Sequence, residues 1–357
     1  MQSNPKVLYL TKYSRNAGSS RLRSFQYFPY LKQAGFEVEV SPLFNENYLV
    51  QLYAGKSTLK EAVLGYTKRF LKLFTVGKYD TIVLEKELFP YLPAFAEYLL
   101  RLFGKKYIVD YDDAIFHNYD QSSNPVFKLF LSKKIDTVMK NAAVVVAGNS
   151  YLADRAKKAG ARKVEIIPTV IDLERYPSKI KEESEKFVIG WIGTKTTFDK
   201  HLLPQRNWIM KLQEDEAIEF HIVGITEDIN LGKNVKYIPW TEETEVEHIR
   251  QFDVGIMPLQ DSLWEKGKCS YKIIQYFACG IPAVASPVGM NREVIVEGEN
   301  GFLVQTEDEW LEKINYLKTQ EEERNRMGQK GRQEVEETFS LQATSKHWIN
   351  ILSHFTT

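Results

Sequence analysis

The run Lys268-Cys269-Ser270-Tyr271-Lys272-Ile273-Ile274-Gln275 concentrates groups that can hold an anion. Ser270 has the side chain of a helix N-cap, and Ile273, Ile274, Phe277 and Ala278 recur as one apolar helix face does. Gly280, with Pro282 two residues on, suits the end of that helix. Its start presents backbone N–H groups from Cys269, Ser270 and Tyr271, together with the positive end of the helix dipole. Lys268 and Lys272 add charge, and Gln275 lies three residues from Lys272, facing the same ligand. Such a set can hold a diphosphate. Any buried strand–helix–strand unit is also apolar and punctuated by Gly and Pro, but four polar groups gathered at one helix start weigh against that plainer reading.

A second group of residues can handle protons and hydroxyls. Asp110-Tyr111-Asp112-Asp113 ends an apolar run, placing Asp112 and Asp113 at the carboxyl end of a strand, where one of them can accept a proton or orient a hydroxyl. Either can instead cap the next segment. Read as Asp-x-Asp, the same residues could hold a divalent metal, a weak pattern that the architecture below disfavours. Gly18-Ser19-Ser20-Arg21-Leu22-Arg23 follows the first strand; Gly18 permits close backbone approach, and Arg21 and Arg23 are candidates for an acceptor phosphate or for a plain solvated helix start. Glu87 ends another strand on the same rim. No glycine pair makes this a dinucleotide fingerprint, so a nicotinamide cofactor is not expected.

These groups sit on an alternating pattern. Apolar runs at Val7–Leu10, 36–40, 79–84, 106–110, 143–147 and 164–168 read as strands, separated by helical stretches at 21–33, 52–76, 92–103, 126–140 and 149–159. The polar, proline-containing stretch 176–186 reads as a linker. The pattern then restarts at 187–193, 219–224, 235–238, 254–257 and 282–286, with helices at 201–213, 306–317, 321–337 and 340–355. Alternation with short connections predicts an α/β protein of two doubly wound Rossmann-like domains, 1–175 and 187–337, with 338–357 a C-terminal helix returning toward the first. Two such domains create a cleft at the carboxyl ends of both sheets, where ligands bind.

The combination of pieces resembles glycosyltransferase family 4, retaining enzymes of the GT-B fold. It is carried by Asp253-Val-Gly-Ile-Met-Pro-Leu259, by Tyr276-Phe-Ala-Cys-Gly-Ile-Pro-Ala-Val-Ala-Ser286 with Pro287-Val288-Gly289, and by Asn300-Gly301-Phe302-Leu303. Ala147-Gly148-Asn149-Ser150 and Ile167-Pro-Thr-Val-Ile-Asp172 extend it into the first half. The resemblance implies a nucleotide-diphosphate sugar as donor, no metal or other cofactor, and a hexose passed to a hydroxyl of a glycan or lipid-linked acceptor in envelope polysaccharide or glycoconjugate synthesis. It implies donor diphosphate contacts from Lys200, Lys268, Lys272 and the Cys269–Tyr271 backbone, ribose contacts from Gln275, and Asp112 or Asp113 near the reacting sugar. The sequence departs from the pattern twice. The family's first glutamate falls on Gly267, leaving Glu265 or Lys268 to serve the donor sugar, and its arginine falls near Thr194, with Lys195 beside it. A GT-B nucleotide-sugar epimerase and a non-catalytic nucleotide-sugar binder are the alternative readings.

Length and composition agree with two domains: 357 residues, 43% hydrophobic, 26% charged. Two cysteines cannot build a disulfide framework, no apolar run is long enough to span a bilayer, and the N-terminus lacks a secretory h-region, so a cytoplasmic protein is expected. The net charge of zero hides an asymmetry: residues 1–170 hold 25 Lys+Arg against 15 Asp+Glu, residues 171–357 hold 22 against 32. The basic half, with the aromatic and cationic stretch Tyr66–Phe74, reads either as a surface that lies on an anionic membrane from the cytoplasmic side or as a helix packed on its own sheet. No nucleic-acid recognition pattern is present.

Overall fold

The computed structural model describes residues 4–177 and 186–355. The chain divides into two compact units, one of residues 1–169 with 344–357 and the other of residues 170–343. Each unit is built on a six-stranded sheet in which every pairing is parallel.

The first sheet contains β1 (Lys6–Leu10), β2 (Glu37–Val40), β3 (Thr81–Glu85), β4 (Tyr107–Tyr111), β5 (Val144–Ala147) and β6 (Val164–Ile166), in the order β2-β1-β3-β4-β5-β6. Its central strands are buried along their whole length, so they read as unbroken apolar runs such as Val144-Val145-Val146-Ala147. The strand order reverses between β1 and β3, which makes that point the natural crevice for a ligand. The C-terminal helix Leu341–Ser353 completes this unit's core: Trp348 packs on Tyr27 with centroids 6.0 Å apart, and Tyr27 shares a hydrogen bond with Thr344.

The second sheet contains β7 (Phe187–Ile192), β8 (Ile218–Val223), β9 (Val235–Ile238), β10 (Val254–Met257), β11 (Ala283–Ala285) and β12 (Gly301–Leu303), in the order β12-β11-β10-β7-β8-β9. Here the reversal lies between β7 and β10. Glycine is needed where strands meet large side chains: a Cβ at Gly190 would fall 1.9 Å from the Phe252 ring, and one at Gly255 2.1 Å from Tyr276. The helix Glu307–Thr319 opens with a full capping box between Thr306 and Glu309.

Several helices differ from expectation. The stretch 21–33 is not one helix but Gly18–Arg23, a 3-10 turn and Phe28–Gln33, because Ser24 leaves the helical region and Pro29 enters the second position of the last piece. The stretch 52–76 resolves into Glu46–Tyr53 and Leu59–Leu73, interrupted by Gly55 at φ +65°. Likewise 126–140 divides into Pro125–Leu131 and Lys134–Asn141. β12 lies outside the strands expected from sequence; at three residues it is too short to show a period. Most of the expected linker 176–186 lies outside the described residues. Its first residue, Tyr176, belongs to the same buried core cluster of the second unit as Ile274 and Tyr276, so that unit begins at Val170 and not after the linker.

Candidate functional site

At the β1/β3 crevice of the first unit, acids and cations interlock. Glu85, the last residue of β3, is buried and accepts hydrogen bonds from Ser20 Oγ at 2.7 Å and the Lys12 amide at 3.0 Å. Lys86 follows in a left-handed conformation, φ +67°, which turns its side chain onto β4's carboxyl end. Its Nζ lies 2.8 Å from Asp112 and 3.6 Å from Asp113. Ser19 Oγ donates to Asp112 at 2.5 Å. Burial pushes the Asp112 carboxyl up, but the Lys86 charge and the hydrogen bonds from Lys86 and Ser19 outweigh it and hold the group below the usual range. Asp112 is therefore an anion locked in place, and Asp113 is the more accessible of the pair, with side-chain exposure of 36% against 11%. The sequence puts Ser19 in the loop after the first strand and Glu85 and Lys86 just before Glu87 on the same rim, but it assigns them no role in this knot, because their partners are remote in sequence.

The other residues proposed for this rim are placed differently. Arg23 is buried and grips Asp110 with both Nε and Nη2, while its Nη1 donates to the Ile167 carbonyl at 2.8 Å. That pairing also separates Asp110 from Asp112, each being held by its own cation, so the two do not act together as Asp-x-Asp. Glu87 is buried against Lys134 Nζ at 2.5 Å and accepts from the Tyr119 hydroxyl at 2.8 Å. Arg21 is also buried, whereas Gly18 is exposed and a Cβ there would meet open space. Arg23 and Glu87 are thus structural ion pairs, and Arg21 does not project as an open anion hook. His117 bridges Asp120 and Tyr151, each at 2.8 Å.

In the second unit, three of the predicted cations, Lys200, Lys268 and Lys272, gather around His201 at the β7/β10 crevice. The helix Tyr271–Ala278 follows the β10 loop, and Gly280 at φ +71° ends it as expected. Its start is unlike the expected cap. Ser270 occupies the N-cap position in the left-handed region, φ +49°, and makes no side-chain cap. Its hydroxyl instead donates to Asn291 Oδ1 at 2.7 Å, and Asn291 Nδ2 donates to the Ser286 carbonyl at 2.9 Å. A non-glycine residue held this way stores on the order of 1–3 kcal/mol, which the buried Asn291 clamp maintains.

Lys272 is half-buried, with Nζ 4.4 Å above the Trp191 ring. A Cβ at Gly193 would come within 3.0 Å of that Nζ, so the glycine after β7 leaves room for it. Among the described residues no carboxylate pairs with Lys272. Burial, and secondarily the Lys268 charge, push its pKa down to about 7.

Beside it Lys200 Nζ is 2.5 Å from Glu265, whose side chain is fully buried and also accepts from Ser262. Burial raises the Glu265 pKa, but the bonds from Lys200 and Ser262 prevail and keep it low. Glu265 therefore anchors Lys200 and is not open to a sugar. His201, unforeseen from sequence, sits 3.5 Å from the same carboxylate and accepts from the Gln260 amide on Nδ1. Burial and Lys268 push His201 down to about 4, so it is neutral at physiological pH. Lys195 is on the surface, paired with Asp199 at 2.5 Å. Gln275 is buried, its amide donating to the Tyr176 hydroxyl at 2.9 Å, so it braces the helix where a ribose contact was expected. A cavity of about 240 Å³ opens at the carboxyl ends of β10, β11 and β12, lined by Leu259, Ser286 and Arg292 among others.

Residues 208–334, which include this helix and its lysines, match the family model described as glycosyl transferases group 1. The whole chain has the GT-B fold. The match and the fold support a glycosyltransferase. The chain is similar to a glycosyltransferase from Rickettsia africae ESF-5, with a TM-score of 0.73, 14% identity and 99% of each chain covered. It is also similar to sucrose-phosphate synthase from Thermosynechococcus elongatus, with a TM-score of 0.70, 13% identity and 98% of each chain covered. A third likeness is to Anabaena HepE in complex with UDP-glucose, at a TM-score of 0.65 and 16% identity over 98% of this chain and 99% of that one. Among curated sequences, spore coat protein SA of Bacillus subtilis (strain 168) is 24% identical over 184 residues, covering 50% of this chain and 43% of that protein. The chain thus spans less than half the length of that relative.

Proposed function

We propose that the chain is a family 4 glycosyltransferase that moves a hexose from a nucleotide-diphosphate sugar to a hydroxyl of a glycan or lipid-linked acceptor, with retention at the anomeric carbon and without a metal ion. The observation that carries this reading is Lys272: a half-buried ammonium over Trp191, lacking a carboxylate partner among the described residues, beside Lys200 and a strained helix start. A cation held in this way, with its pKa lowered, is poised for an anion that restores its charge. The second unit would hold the donor. As the bond from the anomeric carbon to the diphosphate oxygen breaks, the diphosphate keeps the electron pair. Lys272, Lys200 and the amides preceding Ile273 neutralise that charge. The acceptor oxygen bonds to the anomeric carbon, and its proton passes to a carboxylate, for which Asp113 is the better candidate because Asp112 is locked by Lys86 and Ser19. The likeness to HepE, whose structure contains UDP-glucose, makes uridine diphosphate sugars the first donors to try.

Thermal unfolding with UDP, GDP and dTDP sugars gives the first test, because a ligand that binds the folded state raises Tm by mass action. The reading requires one of them to shift Tm in the native chain and to shift it far less in Lys272→Met. A shift identical in the two proteins would end the role assigned to Lys272. Incubating that donor with and without acceptor glycans then separates transfer from epimerisation.

A further inference from the structure

The first unit carries an apolar surface that no function above uses. Among the described residues, 19 of the 25 exposed large hydrophobic side chains lie between residues 50 and 130. They are concentrated on three helices with their flanking turns: Leu59–Leu73, Phe95–Leu102 and Pro125–Leu131. The sheet order places these helices together. The connections β2→β3, β3→β4 and β4→β5 all advance in one direction across the sheet, and right-handed crossovers then put their helices on one face. The helices of the β1→β2 connection lie on the opposite face by the same rule. One helical layer therefore turns its outer side to solvent with Phe74 75%, Phe103 72% and Phe130 73% exposed, accompanied by Leu71, Leu102 and Leu129. A patch so dense in large apolar groups is rare on a surface with no partner.

Its charges say what the partner is. Across 59–74, 91–106 and 121–133 the exposed charged residues are all basic: Lys60, Lys68, Arg101, Lys106, Lys128 and Lys133. The two carboxylates of these stretches face inward or are engaged. Glu97 is buried and accepts from the Leu88 amide, and half-buried Glu61 accepts from Asn45. Arg101 and Lys106 also line, with Arg162, a cavity of about 420 Å³ whose lining residues include no carboxylate. Arg69, expected to belong to the basic face, is instead buried, donating to the Thr11 and Ser41 carbonyls. Among the described residues no helix is long and apolar enough to cross a bilayer.

We infer that this helical layer docks on an anionic lipid bilayer, inserting its aromatic and leucine side chains between headgroups while its lysines and arginines meet lipid phosphates. The inference stands apart from the sugar-transfer reading, since it rests on a different layer of the fold and is read by binding alone. Co-sedimentation of the full chain with sucrose-loaded vesicles tests it, using phosphatidylcholine alone and phosphatidylcholine with one third phosphatidylglycerol. The chain should pellet with the anionic vesicles and remain in solution with the neutral ones. Phe74→Glu/Phe103→Glu/Phe130→Glu should abolish pelleting with Tm unchanged, since all three side chains are exposed. Each of Lys68→Ala, Lys106→Ala and Lys128→Ala should weaken partitioning about fivefold, and added salt should do the same. Failure to pellet with anionic vesicles would overturn the inference, as would pelleting that survives the triple phenylalanine change. A chain that sediments as a dimer, becomes monomeric in that variant and ignores vesicles would show that a second copy covers the face instead.

Discussion

The lowered pKa of Lys272 predicts that a nucleoside diphosphate bound beside it is taken up together with a proton. With its side chain over Trp191, the empty protein holds this ammonium at about 7, against an unperturbed value near 10.4. A diphosphate at the helix start favours the charged form and returns the pKa toward or above that unperturbed value. At pH 8 about nine-tenths of the empty protein carries neutral Lys272, so binding should take up about 0.9 proton per site. By the same linkage, affinity should fall about 50-fold between pH 7 and pH 9, approaching tenfold per unit, and level off below pH 6 as far as Lys272 alone is concerned. Calorimetric titration with a nucleoside diphosphate in two buffers of different ionisation enthalpy measures the proton count directly. Lys272→Arg keeps a charge that does not titrate in this range, so it should bind with little proton uptake and a flat profile from pH 7 to 9. Zero uptake by the native chain at pH 8, or equal uptake by the arginine variant, would refute the reasoning. The same shift acts on folding. Because the folded value lies below the unfolded one, the unfolded chain binds more protons between about pH 7 and 10.4, and the Lys272 contribution to stability rises with pH across that window.

Three other substitutions test the geometry. Lys86→Met leaves half-buried Asp112 without its counter-charge, and should cost on the order of 2–3 kcal/mol in denaturant unfolding, somewhat less than for a fully buried pair; a loss under 1 kcal/mol would show that Ser19 suffices. Ser270→Gly should relieve the left-handed backbone yet free the helix start, giving equal or greater stability with weaker nucleotide binding, which thermal and calorimetric titrations together would detect. Gly190→Ala should unfold the second unit at markedly lower temperature, because its Cβ would fall 1.9 Å from the Phe252 ring, and overpacking of this kind costs about 1–3 kcal/mol or more.

The sheets were legible because parallel strands buried on both sides must be continuous apolar runs. Most of the strand expectations therefore align with observed strands within a residue or two, as at Val235–Ile238 and Val254–Met257. Helix interruptions were less so, since the break at Ser24 comes from a backbone turn that no Gly or Pro announces at that point. That Lys268 and Lys272 lie close together is legible because they are neighbours on one segment. What each polar side chain actually holds is not, because partners are chosen across the fold: Arg23 finds Asp110 87 positions away, Lys200 finds Glu265 65 away, and Gln275 finds Tyr176 99 away. Composition can name an ionisable group, but only tertiary packing decides whether it faces a ligand or another side chain.

The first unit is assembled from both ends of the chain, and this bears on its synthesis. Tyr27 waits for Trp348 and Thr344, which are translated only after all of residues 170–343. At ribosomal speeds of roughly 5–20 residues per second, that interval lasts on the order of ten to thirty seconds. During it the nascent amino-terminal sheet lacks one of its covers, so a fragment stopped at residue 169 should be captured by chaperones or aggregate, whereas supplying the segment 341–355 in trans should rescue it.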